Sequence, residues 1–424
     1  MKILMLGWEF PPHIAGGLGT ACYGISKGLA MNDVEVVFVM PKAYGDEDRN
    51  IARIVSADQV EVDTRYSSFF NQGKNVSFIE VDSKLVPYVG LDDYFTVISQ
   101  MESNVWENSD SHKRKYHFTG GYGENLLQEI EHYATVVEAL AQNETFDIIH
   151  AHDWHTYKAG MLAKQASGKP LVVHIHATEF DRSGEKQRND FVFRMERDGM
   201  MAADKVCAVS DLTRKIVIEK YGISPDKVIT VHNAIEPNKK QITNEKAVPE
   251  KVVTFLGRVT FQKGPEYFVE TAKKILEHDE NVRFVLAGDG DMMTRVIDRV
   301  AELGIADKFH FTGFLRGEDI NKMYGMSDVY VMPSISEPFG ISPLEAIQAS
   351  VPVVISKQSG VSEVLKYAIK VDFWDINAMA DAIYGLLHYS TLSDFLVNKG
   401  AKDIRNLKWE FVGQKLLNIY HSLI

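Results

Sequence analysis

Glu337 and Glu345 stand eight residues apart in Ser336-Glu337-Pro338-Phe339-Gly340-Ile341-Ser342-Pro343-Leu344-Glu345-Ala346. The apolar run 329–333 predicts a buried strand, and residues 343–350 predict a helix with Ser342 as N-cap and Pro343 at N1. Glu337 then lies on the loop at the strand's carboxyl end, and Glu345 lies one turn into the helix. In open α/β sheets that edge is where ligands bind, and the backbone N–H groups of a helix start, here around Gly340, Ile341 and Ser342, favour anions. Upstream, Arg258 and Lys263 stand five residues apart on a glycine-bounded loop after the strand-like run 252–256. Two cations beside a diphosphate stabilise charge growing on a leaving group, each close pair being worth roughly 4 kcal/mol at an effective dielectric near 20. Carboxylates for hydroxyls and cations for phosphate point to chemistry on a phosphorylated ligand. Ser342-x-x-Glu345 is also a capping box, in which Glu345 would only close its own helix.

Two further strings belong to the first half. Trp8-Glu9-Phe10-Pro11-Pro12-His13-Ile14-Ala15-Gly16-Gly17-Leu18-Gly19 follows an apolar run and precedes a helical pattern. Gly16 and Gly17 let backbone approach a ligand closely, although a plain turn uses glycine as well. The spacing is not Gly-x-Gly-x-x-Gly, so a dinucleotide fingerprint fails. His150-Ala151-His152-Asp153-Trp154-His155 gathers three histidines and an aspartate at a strand end. We take the first two histidines to alternate across that strand with no matching ligand cluster elsewhere, so no metal site is expected. His174-Ile175-His176-Ala177-Thr178-Glu179-Phe180 ends the next strand, and Gly288-Asp289-Gly290-Asp291 reads as a tight strand-to-helix turn, not a metal site.

The elements that must position these groups fall into two sets. A chain of 424 residues suits two domains of roughly 200 residues each. In the first half, strands are predicted at 2–6, 34–39, 148–150, 171–175 and 205–209, with amphipathic stretches at 20–31 and 123–141, a rhythm of parallel βαβ units. Residues 43–121 break that rhythm and read as an insertion. The polar segment 236–251 is the linker candidate. Strands recur at 252–256, 282–287, 309–312, 329–332 and 353–355, and Trp409, Val412, Leu416, Ile419, Tyr420 and Leu423 make one apolar helix face. A net charge of −12 argues against a nucleic-acid surface. Two cysteines, Cys22 and Cys207, give no disulfide framework, and no apolar run is long enough to span a membrane. A cytoplasmic enzyme is expected.

The two strings in the second half resemble the retaining nucleotide-sugar glycosyltransferases of the GT-B fold, whose Glu-x7-Glu motif and upstream arginine and lysine match Glu337, Glu345, Arg258 and Lys263. The Trp8 to Gly19 loop is similar to that of glycogen and starch synthases, and His152-Asp153-Trp154-His155 to a bacterial glycogen synthase signature. The resemblance spans nearly the whole chain apart from 43–121. It implies two Rossmann-like, doubly wound parallel-sheet domains facing a cleft. These would be residues 1–235 on the acceptor side and 252–405 for the nucleotide sugar, with 406–424 as a helix crossing back to the first domain.

The resemblance also implies an activity, the retaining transfer of glucose from UDP- or ADP-glucose to the non-reducing end of an α-1,4-glucan. The nucleotide sugar is a substrate, and no cofactor or metal is needed. Glu337 would orient the donor sugar, Glu345 hold the ribose, Arg258 and Lys263 neutralise the diphosphate, and His152 position the sugar. Gly16, Gly17 and the N–H groups of Gly340, Ile341 and Ser342 would touch the donor, and His176 and Glu179 would line the acceptor side. Ile14-Ala15 stands where the long bacterial synthases carry lysine-threonine, which leaves the nucleotide open. The alternative is a transferase of the same fold acting on a lipid, a small sugar or a cell-surface polysaccharide. A non-catalytic glucan-binding homologue need not keep the Arg258, Lys263, Glu337 and Glu345 set, and a sugar epimerase of this fold would not transfer to a second sugar.

Overall fold

The computed structural model describes residues 1–14, 16–63, 113–123, 125–184, 188–237 and 248–424. It divides into two compact units. One comprises Met1–Val209, Thr213–Val231 and Trp409–Ile424, and the other Ser210–Leu212 and His232–Lys408.

The first unit is built on β1 (Lys2–Leu6), β2 (Glu35–Met40) and β3 (Arg53–Ser56), with a small antiparallel pair, β4 (Val62–Asp63) and β5 (Lys113–Arg114), set apart from the main sheet. The sheet continues through β6 (Ile148–His152), β7 (Leu171–Ile175), β8 (Lys205–Ala208) and β9 (Val228–Thr230). Its order is β3-β2-β1-β6-β7-β8-β9 with every pair parallel. The central strands are buried almost throughout, as near-continuous Val, Ile and Leu runs must be when both sheet faces are covered. Strand order reverses between β1 and β6. The glycine loop after β1 and the histidine string of β6 therefore sit at a topological switch point.

The second unit carries β10 (Lys251–Leu256), β11 (Val282–Ala287), β12 (Phe309–Gly313), β13 (Val329–Met332), β14 (Val353–Ser356) and β15 (Ile369–Val371). The order β12-β11-β10-β13-β14-β15 is again all parallel and reverses between β10 and β13. The loops that follow those two strands carry Arg258 with Lys263, and Glu337.

Several boundaries differ from expectation, each for a local reason. Residues 43–121, read as an interruption, contain β3, an edge strand whose RIVS sequence is too short and mixed to show a period. β9 and β15, three residues each, escape for the same reason. The histidine strand extends to His152, beyond the predicted 150, and the helix after Glu337 is Ser342–Gln348, with Ile341 as N-cap and Ser342 already helical. Residues 64–112 of the expected insertion and 238–247 of the expected linker lie outside the described residues.

The helix Trp409–His421 packs on the helix Gly17–Ala30 within the first unit. The contact is backbone-close because it is made at glycines. A Cβ on Gly24 would overlap the Trp409 indole, one on Gly28 the Trp409 carbonyl, and one on Gly413 the Gly28 carbonyl. Asn32 Nδ2 donates to Glu410 O at 2.9 Å, and Tyr420 is fully buried. Gly28→Leu should force the two helices apart and lower stability by at least about 1–3 kcal/mol, read as a lower denaturation midpoint. An unchanged midpoint would contradict the close-contact account.

Candidate active site

In the second unit, the loops after β10 and β13 converge on one ion pair. Lys263 ends a short 3-10 turn, Phe261–Lys263, closed by Gly264 at φ +63°. A Cβ on Gly264 would strike the Pro333 carbonyl, so glycine is required both for the left-handed turn and for the approach to the β13 loop. Ile335 N donates to Gln262 O at 2.9 Å, tying the loops together. Lys263 Nζ donates to Glu337 Oε2, and Ser334 Oγ donates to the same oxygen at 3.3 Å. Glu337 is buried, and its backbone bridges to the loop after β14 through Glu337 N to Gln358 O and Gly360 N to Glu337 O, each 2.9 Å. Gly340, at φ +96°, turns the chain directly above the carboxylate, where a Cβ would lie 3.1 Å from Glu337 Cγ.

Arg258 lies on the same loop as Lys263 but is exposed, and it has no hydrogen bond or ion pair with the described residues. Its loop is propped by the Gly288-Asp289-Gly290-Asp291 turn. Val259 N donates to Asp289 O at 2.9 Å, and Gly288, at φ +144°, leaves no room for a Cβ beside Gly257 O. Glu345 forms no capping box, because the helix start has no side-chain cap. Its carboxylate instead meets Tyr324 Oη at 3.4 Å, a hydroxyl that also reaches Ser342 O at 3.1 Å. Burial raises the Glu345 carboxyl above the usual range, and the Tyr324 hydrogen bond partly offsets this.

The first unit contributes a different kind of surface. Gly16 and Gly17 open the helix Gly17–Ala30, which has neither a side-chain cap nor an acidic residue in its first turn, and a Cβ on either glycine would meet nothing within 4 Å. His152 ends β6 fully buried, its Nδ1 2.9 Å from Nε2 of half-buried His176. The reading that His150 and His152 alternate across their strand is wrong. Residues i and i+2 share a face, and their rings lie 4.3 Å apart beside His174 and His176 of β7 and its loop. The matching cluster, unseen in the sequence, comes from the neighbouring strand. Burial holds these imidazoles neutral, with His155 and His176 lowered to about 3 and His150, His152 and His174 well below their ordinary value. Asp153, at φ +60°, accepts from His176 N at 2.7 Å, and burial raises its carboxyl to about 6 against the opposing charge of Arg182.

Glu179 does not face an open acceptor side. It is buried, with Oε1 accepting from Ser183 Oγ at 2.7 Å and Asn189 N at 2.9 Å, and Oε2 from Arg182 Nε at 3.4 Å. These three donors satisfy the carboxylate within the unit. Ser334, Tyr324, Gln262 and Cys22 were not singled out from sequence; only Ser334, three residues before Glu337, carried a positional hint.

Residues 237–403 match the family described as glycosyl transferases group 1, and residues 2–231 match the starch synthase catalytic domain. The second span is more than half of the 424 residues. The chain belongs to the starch synthase catalytic domain family. This glycosyltransferase is 28% identical to an uncharacterized glycosyltransferase of Methanocaldococcus jannaschii, over 99% of this chain and 98% of that one. Among solved structures it is similar to a sucrose-phosphate synthase of Thermosynechococcus elongatus, with 17% identity, a TM-score of 0.72, and 100% and 98% of the two chains covered. It is also similar to Anabaena HepE in complex with UDP-glucose, with 17% identity, a TM-score of 0.65 and full coverage of both chains. At these identities the likeness is one of fold, and the fold is GT-B. Among the described residues, no helix is long and apolar enough to cross a membrane.

The buried imidazoles give the starch synthase-type unit a pH signature. They are neutral when folded and take up protons when unfolded below about pH 6.5. The stability they contribute is therefore complete above about pH 6.5 and lost as pH falls toward about 3. His155→Phe, which keeps the edge-on packing against Trp8, should make unfolding free energy less steep between about pH 4 and 6 by about one proton, or about 1.4 kcal/mol per pH unit. An unaltered slope would refute a neutral buried His155.

Proposed function

We propose that this glycosyltransferase moves glucose from UDP- or ADP-glucose to the 4-hydroxyl at the non-reducing end of an α-1,4-glucan, with retention of configuration. The observation that carries the reading is the Lys263–Glu337 pair on adjoining switch-point loops, with Arg258 exposed on the same loop as Lys263. Lys263 and Arg258 neutralise the diphosphate as its bond to the sugar breaks. Glu337, desolvated and already anionic against Lys263, faces the positive charge that develops at the sugar carbon. Glu345 and Tyr324 hold the ribose, and backbone N–H groups from Gly340 to Ser342 add to phosphate binding. His152 hydrogen-bonds the transferred sugar, and the open backbone at Gly16 and Gly17 takes the donor. The leaving phosphate oxygen accepts the acceptor hydroxyl's proton, so the nucleoside diphosphate departs as the new glycosidic bond forms on the same face. No divalent ion is assigned to the leaving group, because two side-chain cations serve it. The starch synthase match over 2–231 supports a glucan acceptor. Ile14-Ala15 before the glycines leaves both nucleotides in play.

A second reading, a small sugar or lipid-linked acceptor, draws on the group 1 match over the second unit. Relatives over about two thirds of this chain include a D-inositol 3-phosphate glycosyltransferase and a galactosyltransferase named for a diphosphoundecaprenol acceptor.

Glycogen-dependent incorporation of labelled glucose from UDP-glucose or ADP-glucose, undiminished by EDTA, is the expected result. Nucleotide release without polymer growth would move the assignment to the second reading. Lys263→Ala should lower kcat on the order of 10²–10³-fold, the typical loss for one preorganised charge-stabilising donor. Glu337→Ala should abolish transfer with circular dichroism and melting retained. Near-normal turnover in either variant would remove that residue from the mechanism.

A further inference from the structure

The first unit holds a group of side chains that the transfer chemistry uses only in part. Cys22, His152 and His176 each present one donor atom, all within 4.8 Å of one another. Cys22 and His152 are fully buried, whereas half-buried His176 stands on the loop after β7 and gives an ion a route in. His152 Nε2 and His176 Nδ1 are buried without any hydrogen-bond partner, so no contact beyond the one the rings share fixes either tautomer. The third donor is a thiol surrounded by negative charge from Asp153 and Glu9.

We infer that Cys22, His152 and His176 form a binding site for a borderline transition-metal cation of the zinc class. Thiolate and neutral imidazole are the donor set such ions select. Binding exchanges the Cys22 thiol proton, released to solvent, for a metal–sulfur bond. The dication so becomes a net single positive charge beside Asp153 and Glu9. The two imidazoles already meet edge to edge, with His152 Nδ1 and His176 Nε2 2.9 Å apart. Two nitrogens on one tetrahedral zinc stand about 3.3 Å apart, so a small opening lets the ion take the place of the shared proton, which is carried instead on the unpartnered outer nitrogen of its ring. Asp153 Oδ1 accepts from His176 N at 2.7 Å and so fixes the backbone that carries this imidazole. A second grouping, His150, His152 and His174, is wholly enclosed and has no thiol among its donors, so it is the weaker host. Because the Cys22 site includes His152, a bound ion withdraws that imidazole from the donor sugar. This consequence, though not the site itself, rests on the role proposed for His152.

Cobalt(II) titration of the full chain tests the site without reference to turnover. One equivalent should produce a thiolate-to-cobalt charge-transfer band that zinc displaces. Cys22→Ser should abolish the band, His176→Gln should weaken cobalt binding at least tenfold, and Cys207→Ser should leave both unchanged. No band, or a band that survives Cys22→Ser, overturns the site. If Cys22→Ser does not fold, alkylation of the native chain replaces it. Zinc should slow modification of Cys22 at least tenfold with Cys207 as internal control, and an unchanged rate overturns the site. Zinc should also inhibit sugar transfer reversibly by chelator. A cobalt band with undiminished transfer keeps the metal site and overturns its coupling to His152.

Discussion

A carboxylate held at the end of a buried strand is costly to keep ionised unless a cation meets it, and Glu337 is met by Lys263. Much of the second unit's local architecture serves that meeting. Gly264 removes the Cβ that would keep the β10 loop off Pro333, Ile335 N anchors on Gln262 O, and Gly340 folds the chain back over the carboxylate. Apolar residues of similar volume would stabilise such a place at least as well. The pair is thus better understood as preorganised charge than as a stability device.

The two units present opposite electrostatics. The second offers an exposed guanidinium and a buried ion pair, suited to an anionic leaving group. The first offers four buried imidazoles and one half-buried, all neutral, and a glycine-lined helix start. A protonated cluster would cost desolvation energy, and burial keeps these imidazoles neutral. The half-buried loop after β7 brings this neutral surface toward water.

Legibility in the sequence followed the strength of local signals. Long apolar strands were read to within a few residues, because burial on both faces leaves near-continuous runs. The four-residue β3 and the three-residue β9 and β15 were not, since their pairing is set by neighbours in the sheet and not by any period of their own. Glu337, Arg258 and Lys263 were legible as strand-end residues, and the ion pair between two of them was not, because 74 residues separate them. The capping box illustrates the opposite failure. Ser342-x-x-Glu345 satisfied a local rule, yet the buried Tyr324 hydroxyl, from another helix, took the carboxylate. The histidine cluster was missed through a wrong period, since alternation along a strand puts i and i+2 on one face.

The terminal helix joins fold closure to this cluster. Tyr420 Oη lies 2.6 Å from His150 Nδ1 at the buried root of β6, and its ring stands edge-on to that imidazole. The hydroxyl anchors the His150 ring and, through ring contact, the setting of His152. The tyrosine can reach that depth only because glycines at 24, 28 and 413 let the helix Trp409–His421 lie against the backbone of Gly17–Ala30. That second helix starts at Gly17 and carries Cys22 along its buried side. The same helix pair therefore positions the open backbone at the switch point, the thiol beside the histidines, and the hydroxyl that meets His150, which makes interhelical closeness at three glycines a condition for the placement of all three.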